Sequence, residues 1–128
     1  MTTADDEQVS GTAFGAITIA ALDAADDLAL DDLPFGVVGM DAEGVVKRYN
    51  RVESRLAGLS RDNVLGESFF LTTGVCMNNY LVAQRFEDEA VLDVTLDYVL
   101  TFRMRPTPVK LRLLKQLDGP FHYVLIQR

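Results

Sequence analysis

Several features that mark common classes of protein are scarce or absent in this sequence. Cysteine occurs once in 128 residues, which excludes an internal disulfide framework. No basic segment followed by an apolar core opens the chain, and no apolar run approaches the ~20 residues of a membrane-spanning helix. These absences predict a soluble, cytoplasmic protein.

Basic residues are missing from the first 46 positions, where ten acidic residues precede Lys47. The remaining chain has 12 basic and nine acidic residues, and its basic residues form no stripe interleaved with aromatic side chains. Such stripes are typical of nucleic-acid-binding proteins, because phosphate contacts dominate their affinity. We therefore expect no nucleic-acid partner.

The composition is that of one globular domain. Hydrophobic residues make up 48% of the chain and charged residues 24%. A chain of 128 residues can bury a sizeable core but is too short for two ordinary domains.

The first third of the chain predicts a helical leader and a hairpin. Residues 1–11 are polar and acidic and are expected to fray. Spaced apolar residues over 12–33 indicate one or two short helices. Two apolar runs then flank Asp41-Ala-Glu-Gly44, a pattern typical of a β-hairpin with a four-residue turn.

The rest of the chain predicts short helices and then strands. We expect helices over residues 51–59 and 77–91, with a turn between them that Ser60 caps and Gly66 ends. Strands are expected over residues 92–105, 109–117 and 121–128. This order predicts the α+β class, with one five-stranded antiparallel sheet and helices on one face. It is the layout of a PAS domain.

Basic residues in the last strands indicate where the acidic leader packs. One face of the sheet is expected to carry Arg103, Arg105, Lys110, Arg112 and Lys115, and the other Leu111, Leu113 and Val124. The leader would then form a detachable helical cap over the positive face. A solvated acidic tail is the alternative, but the apolar residues Phe14, Ile17 and Leu28 favour the cap.

The single cysteine, Cys76, has few available roles. A lone cytosolic cysteine is most often a small buried hydrophobic residue. The only histidine, His122, lies in a predicted strand, so a cysteine-dependent acyl-transfer enzyme would require the fold to bring it to Cys76. One cysteine and one histidine are too few ligands for a stable metal site. The remaining functional role is a sulfur that carries a covalently attached group.

Tyr49 and Glu53 are further candidates for a functional site. They lie four positions apart at the predicted start of a helix, a spacing that places both side chains on one face, directed inward. Taken alone, the pair is explained more simply by an exposed glutamate at a helix N-terminus and a tyrosine whose hydroxyl contacts water.

Four elements of the sequence together resemble the photoactive yellow protein family. They are RYNRVE at 48–53, VLGESFF at 64–70, the cysteine at 76, and MRPTPVKLRL at 104–113. The resemblance extends from about residue 30 to the end and implies a PAS fold. It divides the chain into an acidic N-terminal cap, residues 1–30, and a chromophore-binding domain, residues 31–128.

The resemblance also implies a chromophore and its site. In this family p-coumaric acid (4-hydroxycinnamic acid) forms a thioester with the cysteine, here Cys76. Its phenolate oxygen is held by a tyrosine and a protonated glutamate, which match Tyr49 and Glu53. A methionine linked to recovery after illumination matches Met104.

The implied function is that of a blue-light photoreceptor, not an enzyme. Isomerisation and proton transfer from Glu53 would produce a signalling state, read by an unknown downstream signalling protein. We expect a monomer or weak dimer that binds neither nucleic acid nor a membrane. The alternative is a PAS module without light sensing, which binds a small ligand or mediates dimerisation.

The sequence departs from the family pattern near the expected chromophore. Ala57 replaces a threonine that supports the tyrosine, Leu59 replaces an arginine, and Val75 replaces the proline before the cysteine. The segment between the cysteine and Met104 is about three residues shorter than in the family. We expect a modestly raised chromophore pKa, because a supporting hydroxyl and a cation are lost. Three other arginines are candidates to replace the cation: Arg51, Arg55 and Arg103.

Overall fold

A computed structural model describes residues 11–101 and 105–128 of the chain. The α-helices are α1 (Ile19–Ala24), α2 (Asp27–Asp31), α3 (Arg51–Ala57), α4 (Arg61–Val64) and α5 (Ala83–Asp88). A π-helical turn, Phe69–Thr73, and a 3-10 turn, Val75–Met77, lie between α4 and α5. The strands are β1 (Gly36–Met40), β2 (Val46–Tyr49), β3 (Leu92–Leu100), β4 (Thr107–Lys115) and β5 (His122–Gln127). The expectation that the first residues fray falls almost entirely outside the described residues.

The five strands form one antiparallel sheet in the order β2-β1-β5-β4-β3. This confirms the predicted α+β class and the five-stranded sheet. Strand β1 lies between β2 and β5, with Val38 opposite Tyr49 and Gly36 opposite Ile126. Because these pairings are antiparallel, the start of β1 lies beside the ends of both β2 and β5.

The predicted hairpin joins β1 to β2. One carboxylate oxygen of Asp41 accepts hydrogen bonds from the backbone N–H groups of Glu43 and Val45, at 2.9 and 3.0 Å. Gly44 adopts a φ of 84°, a left-handed conformation that costs glycine little. The prediction of a turn at this position is confirmed.

The two faces of the sheet are covered by different parts of the chain. Successive strand residues point to opposite faces, so Val124 and Ile126 belong to one hydrophobic cluster and Tyr123 and Leu125 to another. The first cluster includes helix and loop residues Val64, Phe69, Met77, Val82 and Phe86. The second includes leader residues Phe14, Ile17, Leu22, Leu30 and Leu33. Helices α4 and α5 therefore pack on one face, and the N-terminal helical cap, with α1 and α2, covers the other.

A buried arginine of β4 holds the beginning of the leader. Arg112 is 5% exposed, and its Nη1 donates to the carbonyl oxygens of Phe14 and Ile17 at 3.0 and 2.6 Å. Its Nε and Nη2 donate to the two carboxylate oxygens of Asp93 at 2.9 and 3.0 Å. These bonds lower the pKa of Asp93 below its ordinary value.

A second buried arginine, Arg48 of β2, holds the next part of the leader. Its guanidinium donates to the carbonyl oxygens of Leu22 and Ala25 and to the hydroxyl of Tyr123. The Tyr123 hydroxyl donates in turn to Asp23 at 2.7 Å. The two buried arginines therefore hold the cap through its backbone carbonyl groups, in addition to the apolar packing of its side chains.

Two expectations about side-chain placement are wrong. Leu28 does not help to pack the cap, since it is 75% exposed; it lies two positions from the buried Leu30, on the opposite side of α2. Lys115 does not share a face with Arg112, because an odd number of strand positions separates them. Its Nζ donates to the carbonyl oxygen of Phe86, on the helical side.

The helix expected over residues 77–91 is shorter than predicted and begins at Ala83. The side-chain oxygen of Asn79 accepts hydrogen bonds from the backbone N–H groups of Leu81 and Val82, at 2.9 and 3.3 Å. These local bonds compete with the helical pattern at the positions where the helix was expected to start.

Candidate functional site

Asn50 fixes the start of α3 and thereby the direction of the side chains that follow. Its side-chain oxygen caps the helix by accepting from the N–H of Glu53 at 3.1 Å, and it also accepts from the N–H of Val37 at 2.9 Å. Its amide nitrogen donates to the carbonyl oxygens of Leu30 and Phe35, both at 2.9 Å. This 1% exposed side chain joins the cap, β1 and α3.

Tyr49, at the end of β2, is buried with an unpaired hydroxyl. The side chain is 3% exposed, and its oxygen has no hydrogen-bond partner among the described residues. Burial raises the pKa of Tyr49 above its ordinary value, and the nearby Glu53 carboxylate adds to this effect. A buried hydroxyl without a partner is costly, so this atom is suited to donate to a bound acceptor.

Glu53 is buried beside the start of β1 and is paired with an arginine. The residue is 2% exposed, and its two carboxylate oxygens accept from Nη1 and Nη2 of Arg128 at 2.7 and 3.2 Å. Burial raises the pKa of Glu53, and the Arg128 guanidinium opposes that change. Arg128 directly follows β5, and its side chain is 16% exposed.

The backbone of Cys76 is held by two polar side chains. Its carbonyl oxygen accepts from the Tyr98 hydroxyl at 2.6 Å and from the amide nitrogen of Asn79 at 3.2 Å. The Asn79 amide also donates to the Tyr98 hydroxyl at 2.6 Å. Cys76 itself is partly exposed and has a free thiol.

A cavity of about 480 Å³ lies beside Cys76. Its other lining residues are Ala57, Leu59, Thr72, Thr73, Val75 and Thr101. The volume lies within the roughly 300 to 1,000 Å³ that is typical of small-molecule sites. Ala57, Leu59 and Val75, the three substitutions that depart from the family pattern, therefore line the same cavity as Cys76.

The structure brings the predicted site residues together in part. Tyr49 and Cys76 pack in the same hydrophobic cluster, and Glu53 is close enough to Tyr49 to affect its pKa. Neither Tyr49 nor Glu53 is among the residues that line the cavity beside the thiol. Met104 lies outside the described residues.

Among the described residues, the arginine paired with Glu53 is Arg128, which is not one of the three candidates taken from the sequence. Arg51 and Arg55 are exposed, and the backbone N–H of Arg51 donates to Asp31 at 2.7 Å. Arg103 lies outside the described residues. The arginine that reaches Glu53 is Arg128, which sequence reasoning missed, because 75 residues separate the pair and only the sheet register joins them.

His122 lies by a different cavity from Cys76. Its ring stacks on that of Phe86 with 5.8 Å between the ring centroids. Both rings line a cavity of about 600 Å³ together with Lys115 and Phe70, and Cys76 is not part of that lining. Burial lowers the pKa of His122. This arrangement gives no support to a Cys–His nucleophile.

Two further findings concern the described residues alone. They contain no cluster of three or more His, Cys, Asp or Glu side chains that could hold a metal ion. Among them no helix has both the length and the apolar character needed to cross a bilayer.

Curated photoactive yellow proteins are similar to this chain over most of its length. The protein of Rhodothalassium salexigens is 30% identical over 105 residues, which cover 80% of this chain and 84% of the relative. The protein of Rhodobacter capsulatus is 30% identical over 122 residues, covering 90% and 95%. No protein-family model matches the chain.

Solved structures agree with this similarity. The photoactive yellow protein domain of the sensor histidine kinase Ppr from Rhodospirillum centenum has a TM-score of 0.78 at 31% identity, covering 85% of this chain and 98% of that domain. A PAS domain of an HTR-like protein from Haloarcula marismortui has a TM-score of 0.61 at 18% identity, covering 80% and 91%, which bears on the fold alone. The predicted PAS fold is confirmed, and the chain belongs to the photoactive yellow protein family.

Proposed function

We propose that the chain is a cytoplasmic blue-light photoreceptor in which Cys76 carries p-coumaric acid as a thioester. The observation that carries the proposal is the buried hydroxyl of Tyr49, which has no partner among the described residues and lies near the buried Glu53. These residues belong to the Tyr-Asn-x-x-Glu element that the chain shares with its family. When bound, the chromophore would supply blue-light absorption, isomerisation of its double bond and a phenolate oxygen.

The residues present fit such a group. Cys76 lines a cavity of small-molecule size, and the Tyr49 hydroxyl has no partner within the described residues. An acceptor oxygen of a ligand would satisfy that hydroxyl. Since neither Tyr49 nor Glu53 lines the cavity, Cys76 would hold one end of the ligand while the other end extends into the core.

Tyr49 and Glu53 would keep the phenolic oxygen ionised. A phenol with a reference pKa of about 10 must be shifted by about 3 units to ionise at neutral pH, which corresponds to about 4 kcal/mol. Hydrogen bonds to a charged group contribute roughly 1.5 to 3 kcal/mol each. Two donors, the Tyr49 hydroxyl and a protonated Glu53, supply about this amount.

After illumination, Glu53 would release its proton to the phenolic oxygen and become a carboxylate. An unpaired carboxylate in so buried a position would cost several kcal/mol. Arg128 lies within hydrogen-bond distance of both carboxylate oxygens and would reduce that cost. Charge separation is thus partly accommodated by the chain itself.

Strand β2 offers a route from this proton transfer to the cap. Tyr49 packs on the helical face, whereas the preceding residue, Arg48, is directed to the other face and donates to carbonyl groups of the leader. A shift of β2 would therefore weaken the bonds that hold the cap. Release of the leader is our proposed output, recognised by a downstream signalling protein, with no enzymatic turnover.

One observation favours a second candidate, a PAS module that senses a small ligand without light. Glu53 is already paired with Arg128, so its carboxylate has a partner without a phenolate in the site. In this case the cavity beside Cys76 would bind its ligand non-covalently.

Reconstitution with activated p-coumaric acid tests the proposal. We expect a yellow adduct with the mass of one thioester, which bleaches in blue light and recovers in the dark. Cys76→Ala should abolish the adduct. Cys76→Ser, in which the side chain keeps nearly the same size, should abolish the thioester as well. A folded protein that forms no adduct would contradict the photoreceptor and favour the second candidate.

A further inference from the structure

The pairing of Glu53 with Arg128 is built into the sheet. Gly36 of β1 lies opposite Ile126 of β5, which brings residue 128 past the start of β1 to the position of Glu53. Gly36 also leaves space for the carboxylate, because a Cβ atom at this position would lie 2.1 Å from Glu53 Oε1. Both carboxylate oxygens are engaged, so the contact fixes the orientation of the group as well as its charge.

The charged and titratable groups that act on Glu53 are few within the described residues. Arg128, following β5, donates two hydrogen bonds to it, and Tyr49 of β2 lies close by. Strand β1, with the sequence GVVGM, contains no titratable residue. Arg51 and Arg55, on the same helix as Glu53, are exposed.

One cation can balance one anion in such a site. The positive charge of Arg128 can neutralise either the Glu53 carboxylate or a phenolate, but not both. A second anion would remain buried without a counter-charge from the described residues, at a cost of several kcal/mol. A proton held by Glu53 or by the phenol removes that second charge.

We propose that Arg128 is a positioning residue that controls the orientation and ionisation of Glu53 and serves as the cation of this site in place of the one lost at Leu59. The chromophore part of this inference rests on the proposed function. In the chromophore-free protein Arg128 holds Glu53 as a carboxylate. With the chromophore attached, Glu53 takes up a proton, and the charge of Arg128 balances the phenolate.

The first test uses the chromophore-free protein, so it does not depend on light sensing. Infrared spectra over a pH series follow the protonated-carboxyl band of Glu53, which Glu53→Gln identifies by its loss. Arg128→Gln should raise the pKa of Glu53 by about 1 unit or more, since an opposite charge at this distance shifts a carboxyl pKa by about 1 to 3 units. Arg128→Lys should retain part of the effect.

Arg55→Gln is the matched control, because Arg55 is on the same helix but exposed. It should leave the titration of Glu53 unchanged. If Arg128→Gln also leaves it unchanged in a folded protein, the inference is wrong. If Arg55→Gln instead shifts the pKa of Glu53, the cation that acts on Glu53 belongs to α3.

The second test uses the reconstituted protein. Arg128→Gln should raise the pKa of the chromophore by about 1 unit or more, seen as a loss of yellow colour at higher pH than in the parent protein. If the parent protein takes up no chromophore, the proposed function fails, while the titration of Glu53 still decides the role of Arg128. Normal uptake with an unchanged chromophore pKa would remove Arg128 from the chromophore site.

Discussion

Gly36 and Glu53 occupy one small space between β1 and α3, where a methyl group on residue 36 would collide with the carboxylate. A side chain at this position would have to displace the oxygen that accepts from Arg128 at 2.7 Å. Glycine is therefore required here for its size. Its backbone conformation is not left-handed, unlike that of Gly44 or Gly66.

Gly36→Ala should displace the Glu53 carboxylate and separate it from Arg128. We expect unfolding free energy to fall by about 1 to 3 kcal/mol, the usual cost of overpacking a core. Denaturant unfolding of the chromophore-free protein measures this change. Gly15→Ala is the control, because a Cβ atom there has nothing within 4 Å and should change stability by less than about 0.5 kcal/mol. Equal effects of the two variants would contradict the packing argument.

Tyr49→Phe and Tyr123→Phe should change stability in opposite directions. Tyr49 has a buried hydroxyl without a partner among the described residues, so its removal should stabilise the chromophore-free protein by about 1 kcal/mol. The Tyr123 hydroxyl contacts both Asp23 and Arg48, so its loss should destabilise the protein by about 1.5 to 3 kcal/mol. Thermal or denaturant unfolding of the two variants measures this difference. The comparison is matched because both tyrosines are buried.

In the reconstituted protein, the Tyr49 hydroxyl should become favourable because it has an acceptor. If its hydroxyl donates to the phenolate, Tyr49→Phe raises the pKa of the chromophore, which a spectroscopic pH titration measures. An unchanged chromophore pKa would show that Tyr49 does not hold the phenolate.

The sequence was sufficient to predict elements whose signals are local. The hairpin at Asp41 to Gly44 depends on a turn that its own residues form, and Ser60 was expected to cap a helical turn, as it does. Asn50 is part of the RYNRVE motif, and an asparagine three positions before Glu53 is in addition a local signal for a helix start.

Features that depend on strand register could not be predicted. Arg112 was expected on the face that the leader covers, but the carbonyl acceptors that the leader supplies to Arg112 and to the buried Arg48 were not predicted. Arg128 is brought within hydrogen-bond distance of Glu53 by the register in which β1 and β5 pair. The helix expected from residue 77 was too long, since helical propensity does not include the side-chain bonds of Asn79.

Arg112→Gln should loosen the cap, because its guanidinium bonds to Phe14, Ile17 and Asp93 would be lost. We expect faster amide hydrogen exchange over residues 13–33 and earlier proteolysis of the leader. Lys110→Gln is the control from the same strand and face. Its ion pair with Asp97 is exposed, and such pairs contribute about 0 to 1 kcal/mol. A leader equally protected in both variants would contradict the role of Arg112.

The attachment of the cap should weaken in acid through Asp93. Its folded pKa lies below the ordinary value of 3.8, because Arg112 donates hydrogen bonds to the carboxylate. A carboxyl group with a lowered folded pKa contributes stability that is fully present above its unfolded pKa. That contribution is lost as the pH falls through the folded pKa. Protection of the leader should therefore decrease as the solution is acidified below 3.8.

Asp93→Asn separates this effect from those of other acids. The pKa of Asp31 is also lowered, since bonds from Arg61 and Arg51 outweigh the effect of burial, whereas burial raises the pKa of Glu53. Both groups remain in the variant, so the difference in leader exchange between the variant and the parent isolates Asp93. Because the Asp93 side chain is 60% exposed, the difference should shrink when salt is added. A leader whose protection has the same pH dependence in both proteins would show that Arg112 holds the cap through the carbonyl groups of Phe14 and Ile17 alone.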